Sequence, residues 1–248
     1  METGLLKTVF HVHTNYSDDS DSPPEAIVAS ARNAGIGCVT ITDHDTIAGA
    51  QAVRALAGPD LQVIIGEEVS TTEGHLIGLF LTEEIEPGLS PRRTAELIRR
   101  QGGLVVVPHP FNRLFGCSLR QHAVELAQLG LVDAVEISNA QNLLPFPNRR
   151  AAAFAREFGL PALVGVDMHH RDYLGTCFQW LPPFEGPRGF LDALTRATLV
   201  PGRHPLGYFV KSAQVVLREK TGLPLPAGYG ANCPRSRAHA ATAVTPAG

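Results

Sequence analysis

Cysteine is scarce in this sequence, and no two cysteines stand close together. The four residues, Cys38, Cys117, Cys177 and Cys233, form no CxxC pair. This spacing argues against a zinc ribbon, a thioredoxin-type redox site and a disulfide framework. We therefore expect the cysteines to be buried, reduced thiols.

Other signatures are missing as well. No apolar run approaches the ~20 residues needed to span a bilayer, and residues 1–7 lack the features of a secretory signal. We therefore expect a cytoplasmic protein that does not bind membranes. The 21 Lys and Arg residues against 24 Asp and Glu leave no broad basic field for long nucleic acid. Neither GxGxxG nor GxxxxGK[ST] occurs, which weakens the dinucleotide-binding and P-loop alternatives.

Short apolar runs rich in Val and Ile alternate with stretches of helical periodicity, as in repeated βα units. The pattern predicts strands at residues 8–12, 37–42, 62–65, 75–81, 104–107, 134–137 and 162–166. It predicts helices at residues 23–34, 47–57, 91–101, 119–129, 148–158, 188–197 and 207–221. Seven strands with intervening helices favour an α/β barrel over an open doubly wound sheet, although periodicity separates the two poorly.

The domain organisation expected from composition is simple. A single barrel domain is predicted over residues 1–200, with a helical extension at 201–222. The last stretch, 223–248, is rich in Pro, Gly and Ala and has little apolar patterning. We predict that it is a flexible tail without chemistry.

Ten histidines stand out, because many fall at strand boundaries. The first predicted strand ends in His11-Val12-His13, and residues two apart on a strand face the same side. Both imidazoles can therefore reach one metal ion, although a structural pair explains an isolated HxH equally well. The acidic loop 17–21 follows directly.

The other strand boundaries carry the same residue types. They are Asp43, His44 and Asp45, then Glu67 and Glu68, His75, His109, and finally Asp167, His169 and His170. The carboxyl ends of barrel strands form the active-site face, so these side chains are expected to meet there. His75 is the exception, because it begins its strand, and a bend or a reversed direction would be needed there. Imidazole and carboxylate ligands without thiolate suit Zn, Mn or Fe.

These motifs resemble those of the PHP (polymerase and histidinol phosphatase) metallohydrolases. The resemblance is carried by His11-Val12-His13-Thr14, Ser17-Asp18, Thr42-Asp43-His44-Asp45-Thr46, Gly66-Glu67-Glu68, Gly74-His75-Leu76, Pro108-His109-Pro110 and Asp167-Met168-His169, in the family's order. It covers residues 7–198 and looks like the small stand-alone members. It implies a distorted (β/α)7 TIM-like barrel with a trinuclear metal site at its carboxyl face.

The resemblance also implies which residues hold the metal ions. The first ion would use His11, His13, Glu68 and Asp167, the second Glu68, His75 and His109, and the third Asp18, His44 and His169. Asp19 follows Asp18 where the family commonly has glycine, so the choice between the two stays open, although spacing from His13 favours Asp18. Asp43, His44 and Glu68 are the candidate catalytic residues, with Asp43 orienting His44 or a water molecule.

The implied activity is hydrolysis of a phosphoester by water that two or three divalent cations (Zn, Mn or Fe) activate. The expected substrate is a small phosphorylated metabolite, a nucleotide or a short oligonucleotide. Alternatives are a short-oligonucleotide exonuclease, a hydrolase of a non-phosphate ester or carbamate, and a metal-stabilised binding domain without turnover. The sequence leaves the oligomeric state open.

Several polar residues near predicted loops and helix starts are candidates for substrate binding. They are Arg113, Asn139, Arg149, His170 and Lys211, although surface charge or a turn explains most of them equally well. The remaining histidines, His122, His204 and His239, are expected to face solvent.

Overall fold

The computed structural model describes residues 4–112 and 116–233. Nine strands form within this part of the chain: β1 (Leu6–Val12), β2 (Cys38–Ile41), β3 (Gln62–Thr71), β4 (Gly74–Leu79), β5 (Leu104–Val107), β6 (Ala134–Asn139), β7 (Ala162–Met168), β8 (Phe178–Leu181) and β9 (Thr198–Val200). Seven α-helices accompany them: α1 (Pro24–Asn33), α2 (Ala48–Leu56), α3 (Pro91–Arg100), α4 (Gln121–Gln128), α5 (Pro145–Glu157), α6 (Gly186–Leu194) and α7 (Leu206–Thr221).

Strands β1 to β7 close into a barrel, because β1 pairs with both β2 and β7. Neighbouring strands are parallel except at β4, which runs antiparallel to β3 and β5. A tight hairpin joins β3 to β4, ending in the pair Thr71 and Gly74. The expected distorted (β/α)7 TIM-like barrel is confirmed. The reversed β4 also supplies the change of direction that His75 requires.

Alternate strand residues pack into two hydrophobic clusters. The inner cluster fills the barrel with side chains from all seven strands, namely Phe10, Cys38, Ile64, Ile77, Leu79, Leu104, Val106, Ala134 and Leu163. The outer cluster, which includes Val9, Val39 and Val105, packs beneath the helices. Phe190 and Leu194 of α6 belong to the inner cluster, so this helix covers the end of the barrel opposite to the carboxyl ends of the parallel strands.

Several elements differ from the sequence prediction. β3 continues to Thr71 because it forms the hairpin with β4, so Glu68 lies within the strand rather than beyond it. β8 and β9 were not predicted; β8 pairs with β1 outside the closed barrel, and β9 pairs with β8. α5 begins at Pro145, three residues before the predicted start. No helix in the described residues combines the length and apolarity needed to cross a bilayer.

The predicted flexible tail is fixed over its first part. The backbone N–H of Asn232 donates to the Asn15 carbonyl at 2.9 Å, and that of Gly230 donates to the Ser20 carbonyl at 3.1 Å. Residues 228–232 therefore contact the loop that follows β1. Residues 234–248, with His239, lie outside the described residues.

Phe190 tests the inner cluster. It is fully buried, with ring centroids 5.2 Å from Phe184 and 5.7 Å from Phe80. We expect Phe190→Ala to lower the free energy of unfolding by about 3–5 kcal/mol, because it leaves a cavity in the barrel. Urea denaturation measures the change. Phe146→Ala removes a phenylalanine that is 63% exposed and should change stability by less than about 0.5 kcal/mol. Equal losses in the two variants would contradict this account.

Candidate metal centre

Most of the predicted ligand residues meet in one cavity at the carboxyl end of the barrel. Its volume is about 250 Å³, and its lining consists of Asp19, His44, Glu68, His75, His109, Cys117, Gln141, Asp167, His169, His170, Ser212, Val215 and Val216. His11 and His13 lie directly beneath it and are fully buried.

Glu68 stands at the centre of this cluster and is 1% exposed. Its Oε1 atom lies 3.0 Å from His75 Nδ1 and 3.0 Å from His109 Nε2. Its Oε2 atom lies 3.0 Å from His11 Nε2 and 3.3 Å from His13 Nε2. Oε2 also lies 3.5 Å from His44 Nδ1, so the two oxygens face different sets of imidazoles, as would suit a carboxylate shared between ions.

Asp167 is the second carboxylate of the cluster. Its Oδ1 atom lies 3.6 Å from His11 Nε2, 3.7 Å from His13 Nε2 and 3.5 Å from His169 Nδ1. Asp167 therefore faces the same pair of histidines as Glu68 Oε2, and its position agrees with the ligand set that the family resemblance implies.

The third carboxylate of the cluster is Asp19, whereas spacing had favoured Asp18 as the ligand. Asp19 Oδ2 lies 3.0 Å from His169 Nε2 and 3.6 Å from His44 Nε2, whereas Asp18 is exposed. A turn in which the Ser20 N–H donates to the Ser17 carbonyl brings residue 19 toward the cavity. Spacing from the first histidines could not predict this turn.

A bulge in β1 aims His11 at the cavity. Val9 and Val12 both pack in the outer cluster and Phe10 packs in the inner one, so side-chain alternation breaks between residues 10 and 12. The pairing of β1 with β2 shifts register there, and His11 has φ 70°. The break turns His11 inward, and His13 then follows two residues later on the same side.

Two other members of the cluster also have positive φ angles, His109 (26°) and Asp167 (46°). This region is unfavourable for non-glycine residues, at about 1–3 kcal/mol each, and such conformations cluster at functional sites. Surrounding contacts compensate here, since Ser118 Oγ donates to the His109 carbonyl at 2.7 Å and Tyr208 Oη donates to the Asp167 carbonyl at 2.9 Å.

Glu136, which the sequence analysis missed, supports the cluster from below. Its buried carboxylate accepts from His11 Nδ1 at 3.0 Å, from the His109 backbone N–H at 2.6 Å and from Asn139 Nδ2 at 2.9 Å. Because Nδ1 of His11 carries the donated proton, Nε2 is left as a metal-binding lone pair. Strand alternation from Ala134 places residue 136 inside the barrel, and this was the available signal.

Asn139 takes a different role from the substrate contact that was predicted. Its Nδ2 donates to Asp167 Oδ2 at 2.8 Å as well as to Glu136, and the residue is 2% exposed. Asn139 therefore links two carboxylates beneath the cavity instead of lining it.

Asp43, predicted to be catalytic, is a positioning residue. Its carboxylate accepts from Thr14 N at 2.6 Å, Thr14 Oγ1 at 2.8 Å and Ser17 Oγ at 3.0 Å, and burial raises the pKa of Asp43 to about 6. Ser17 Oγ then accepts from the His44 backbone N–H at 2.9 Å and lies 3.2 Å from His13 Nδ1. Asp43 thus orients both histidines through Ser17 and does not itself line the cavity.

The carboxylates of the cluster require positive charge beside them. Burial opposes protonation of His44, but the charges of Glu68 and Asp19 outweigh burial and raise the pKa of His44 to about 10. Burial likewise disfavours the ionised form of Glu68, yet the positive charges of His11 and His44 hold the pKa of Glu68 well below its usual range. Without a metal cation, protonated histidines neutralise the negative charge of these carboxylates.

The donor set fits divalent cations. Among the described residues, His13 Nε2, His44 Nδ1 and Asp19 Oδ1 are buried without a hydrogen-bond partner, which is costly unless another group binds them. Burial, together with the neighbouring His169, lowers the pKa of His13 to about 3, so this ring is a neutral donor. Imidazole and carboxylate donors in this number suit Zn, Mn or Fe.

The predicted basic substrate contacts do not reach the cavity in the described part of the chain. Arg113 lies outside the described residues. Arg149 is exposed on α5, and Lys211 Nζ lies 3.3 Å from Asp172 Oδ2. His170 does line the cavity, as its interpretation as a substrate-binding residue requires.

Residues of the C-terminal extension form one wall of the site, which sequence reasoning missed. Ser212 Oγ lies 3.1 Å from His170 Nε2, and Tyr229 Oη lies 2.8 Å from His170 Nδ1. Val215 and Val216 of α7 complete this wall. The extension therefore lines the cavity, and Tyr229 of the expected tail contacts this wall through His170.

His204 is buried, contrary to the expectation that it faces solvent. Its ring stacks on Tyr208 with centroids 3.7 Å apart, and Nε2 donates to the Val166 carbonyl at 2.7 Å. The pair fastens the start of α7 to the end of β7. Cys117 lines the cavity, and Cys38, Cys177 and Cys233 are buried.

Two family models match the chain. The model described as PHP domain matches residues 10–128, and the model described as PHP-associated matches residues 145–199. An uncharacterized protein from Methanocaldococcus jannaschii is 40% identical over 146 residues, which cover 54% of this chain and 82% of that protein.

Solved structures show the same fold. A two-domain protein from Bacteroides vulgatus, which contains a predicted PHP-like metal-dependent phosphoesterase, has a TM-score of 0.65 at 19% identity, covering 80% of this chain and 65% of that one. Endonuclease Q, solved with a 27-mer duplex bearing an abasic lesion, has a TM-score of 0.60 at 16% identity, covering 77% and 57%.

Gly165 tests the supporting role of Glu136. A Cβ atom at position 165 would lie 1.4 Å from Glu136 Oε1, so Gly165→Ala must displace a buried carboxylate and should cost about 1–3 kcal/mol of stability. Gly189→Ala, at a helical position whose new Cβ meets Phe184 at 3.5 Å, should be neutral or slightly stabilising.

Thermal unfolding of a double-mutant cycle of Gly165→Ala and Glu136→Ala tests whether the clash with Glu136 causes the loss of stability. In a Glu136→Ala background the cost of Gly165→Ala should largely disappear, because the clashing carboxylate is absent. Additive losses would show that Gly165 acts through something other than Glu136.

Proposed function

The chain belongs to the PHP domain family, and on that basis we propose that it hydrolyses a phosphoester in the cavity above β1 to β7, using divalent cations. The observation that carries the proposal is the contact of both Glu68 oxygens with histidines from separate strands. A carboxylate held in this way suits a cluster of ions, and clustered ions are suited to phosphoryl chemistry.

The residues that would hold the ions fall into three groups. They are His11, His13, Asp167 and Glu68 Oε2; His75, His109 and Glu68 Oε1; and Asp19, His44 and His169. We propose two or three ions, of Zn, Mn or Fe. When bound, such cations would activate water and neutralise charge on phosphoryl oxygens.

The shape and charge of the cavity favour a small substrate. Its volume of about 250 Å³ is at the lower end of ligand pockets, and α7 closes one side with Val215 and Val216. No Arg or Lys lines it among the described residues, so cations would have to meet most of the charge of a phosphate group. A phosphomonoester, or the terminal phosphate of a short oligonucleotide, fits these limits better than a duplex.

The same cluster also suits hydrolysis of a non-phosphate ester or carbamate, because activated water is not specific for phosphorus. Parallel assays with an aryl phosphate and an aryl carboxylate ester discriminate the two. A binding domain without turnover would retain the ions and hydrolyse nothing in either assay.

Substitution of buried ligands tests the activity. With Mn or Zn supplied, we expect the protein to hydrolyse a generic aryl phosphate, and His11→Ala and Glu68→Ala each to lower kcat/KM by at least about 100-fold, because a donor is lost. His122→Ala removes a histidine of α4 that pairs with Glu125 outside the cavity, and should leave the rate unchanged. Absence of turnover in a fully metallated protein would contradict the proposal.

Substitution of two adjacent aspartates tests the third proposed ligand group, which consists of Asp19, His44 and His169. We expect Asp19→Asn to lower the affinity for the most weakly bound ion by at least about tenfold, because its carboxylate faces His44 and His169. Asp18→Asn, at an exposed position, provides the matched control and should bind as the wild type does. Metal analysis after dialysis against a weak chelator measures the stoichiometry. The reverse ranking would restore Asp18 as the ligand.

A further inference from the structure

Cys117 presents a thiol to the cavity beside two of the histidines. The ligand atoms of Cys117, His75 and His109 all lie within 4.8 Å of one another. Both histidines also contact Glu68 Oε1 at 3.0 Å, so the thiol joins a carboxylate and two imidazoles on one side of the cavity. The residue is half-buried, whereas the other three cysteines are buried elsewhere.

The segment that carries Cys117 is attached to both histidines. The His75 backbone N–H donates to the Cys117 carbonyl at 2.8 Å, and Ser118 Oγ donates to the His109 carbonyl at 2.7 Å. Gly74 has φ 130°, and a Cβ atom there would lie 2.7 Å from the Cys117 carbonyl oxygen. This close approach requires glycine at 74, so the position of the thiol is set by the same backbone that sets the histidines.

We propose that Cys117 is a direct ligand of the ion held by Glu68, His75 and His109. Binding forms a sulfur–metal bond as the thiol proton passes to solvent, and gives a set of one sulfur, one oxygen and two nitrogen donors. Four donors of this kind suit tetrahedral zinc, and a thiolate disfavours manganese. This inference rests on the proposed metal centre and deepens it, because it makes one position of the cluster selective for zinc.

Cobalt(II) provides the test, because thiolate ligation produces a charge-transfer band in the near ultraviolet that imidazole and carboxylate ligands do not. We expect cobalt titrated into the metal-free full-length chain to give this band. Cys117→Ser should lose it and Cys177→Ser should keep it, since Cys177 is a buried free cysteine that does not line the cavity. Zinc affinity should fall by at least about tenfold in Cys117→Ser, with little change for manganese.

A second measurement guards against misfolding of the variant. In the wild-type protein, one equivalent of zinc should slow alkylation of Cys117 by iodoacetamide, as located by mass spectrometry, and manganese should not. Cobalt that binds without the band, or a band that persists in Cys117→Ser, overturns the role of Cys117 and leaves the metal centre intact. Absence of any cobalt or zinc binding overturns both proposals.

Discussion

Glu68 is buried with histidine nitrogens within 3.5 Å of both its oxygens, and a carboxylate is costly to bury in this way without positive charge beside it. The remaining features of the site follow from that requirement. In the metal-free chain the neighbouring carboxylates raise the pKa of His11 and His44 and so favour their protonated forms. Metal cations would displace those protons on binding. The buried carboxylates are therefore stable only while positive charge neutralises them. The histidines of the barrel can supply that charge by binding either protons or metal cations.

The reversal of β4 and the irregularities at strand ends bring these donors together. Glu68 faces inward on β3, and the antiparallel pairing puts His75 diagonal to it across the hairpin, where a parallel strand would carry residue 75 to the far end of the barrel. Beneath the ligands, Glu136 holds His11, and Ser17 holds His13 and His44. For His11 and His13 the contact is made by ring nitrogen Nδ1, which leaves Nε2 facing the carboxylates of the cluster.

Local patterns in the sequence predicted the strands and placed histidines and carboxylates at their ends, and the family resemblance implied the barrel and the ligand set. Periodicity located the seven barrel strands, and the position of His75 at the start of its strand indicated a bend or a reversed direction there. The features that the sequence did not predict depend on contacts between distant residues or on turn geometry. The turn at 17–20 decides between Asp18 and Asp19, and Glu136 contacts a histidine 125 residues away. Likewise, the three-residue β9 and the contacts of residues 228–232 with the loop after β1 arise from packing that no local pattern encodes.

Burial differs among the three proposed groups and should order their affinities. The side chains of His11, His13 and Asp167 are at most 5% exposed, whereas those of Asp19, His44 and His169 are 32%, 19% and 12% exposed. The loop that carries Asp19 is fixed by the Asp21 N–H, which donates to the His169 carbonyl at 3.1 Å, and by the C-terminal segment at Ser20. The group of His11, His13 and Asp167 forms within the barrel, while the outer group depends on a loop and on the C-terminal segment. The outer ion is therefore the one whose binding should respond to movement of α7 and of the substrate wall that α7 forms.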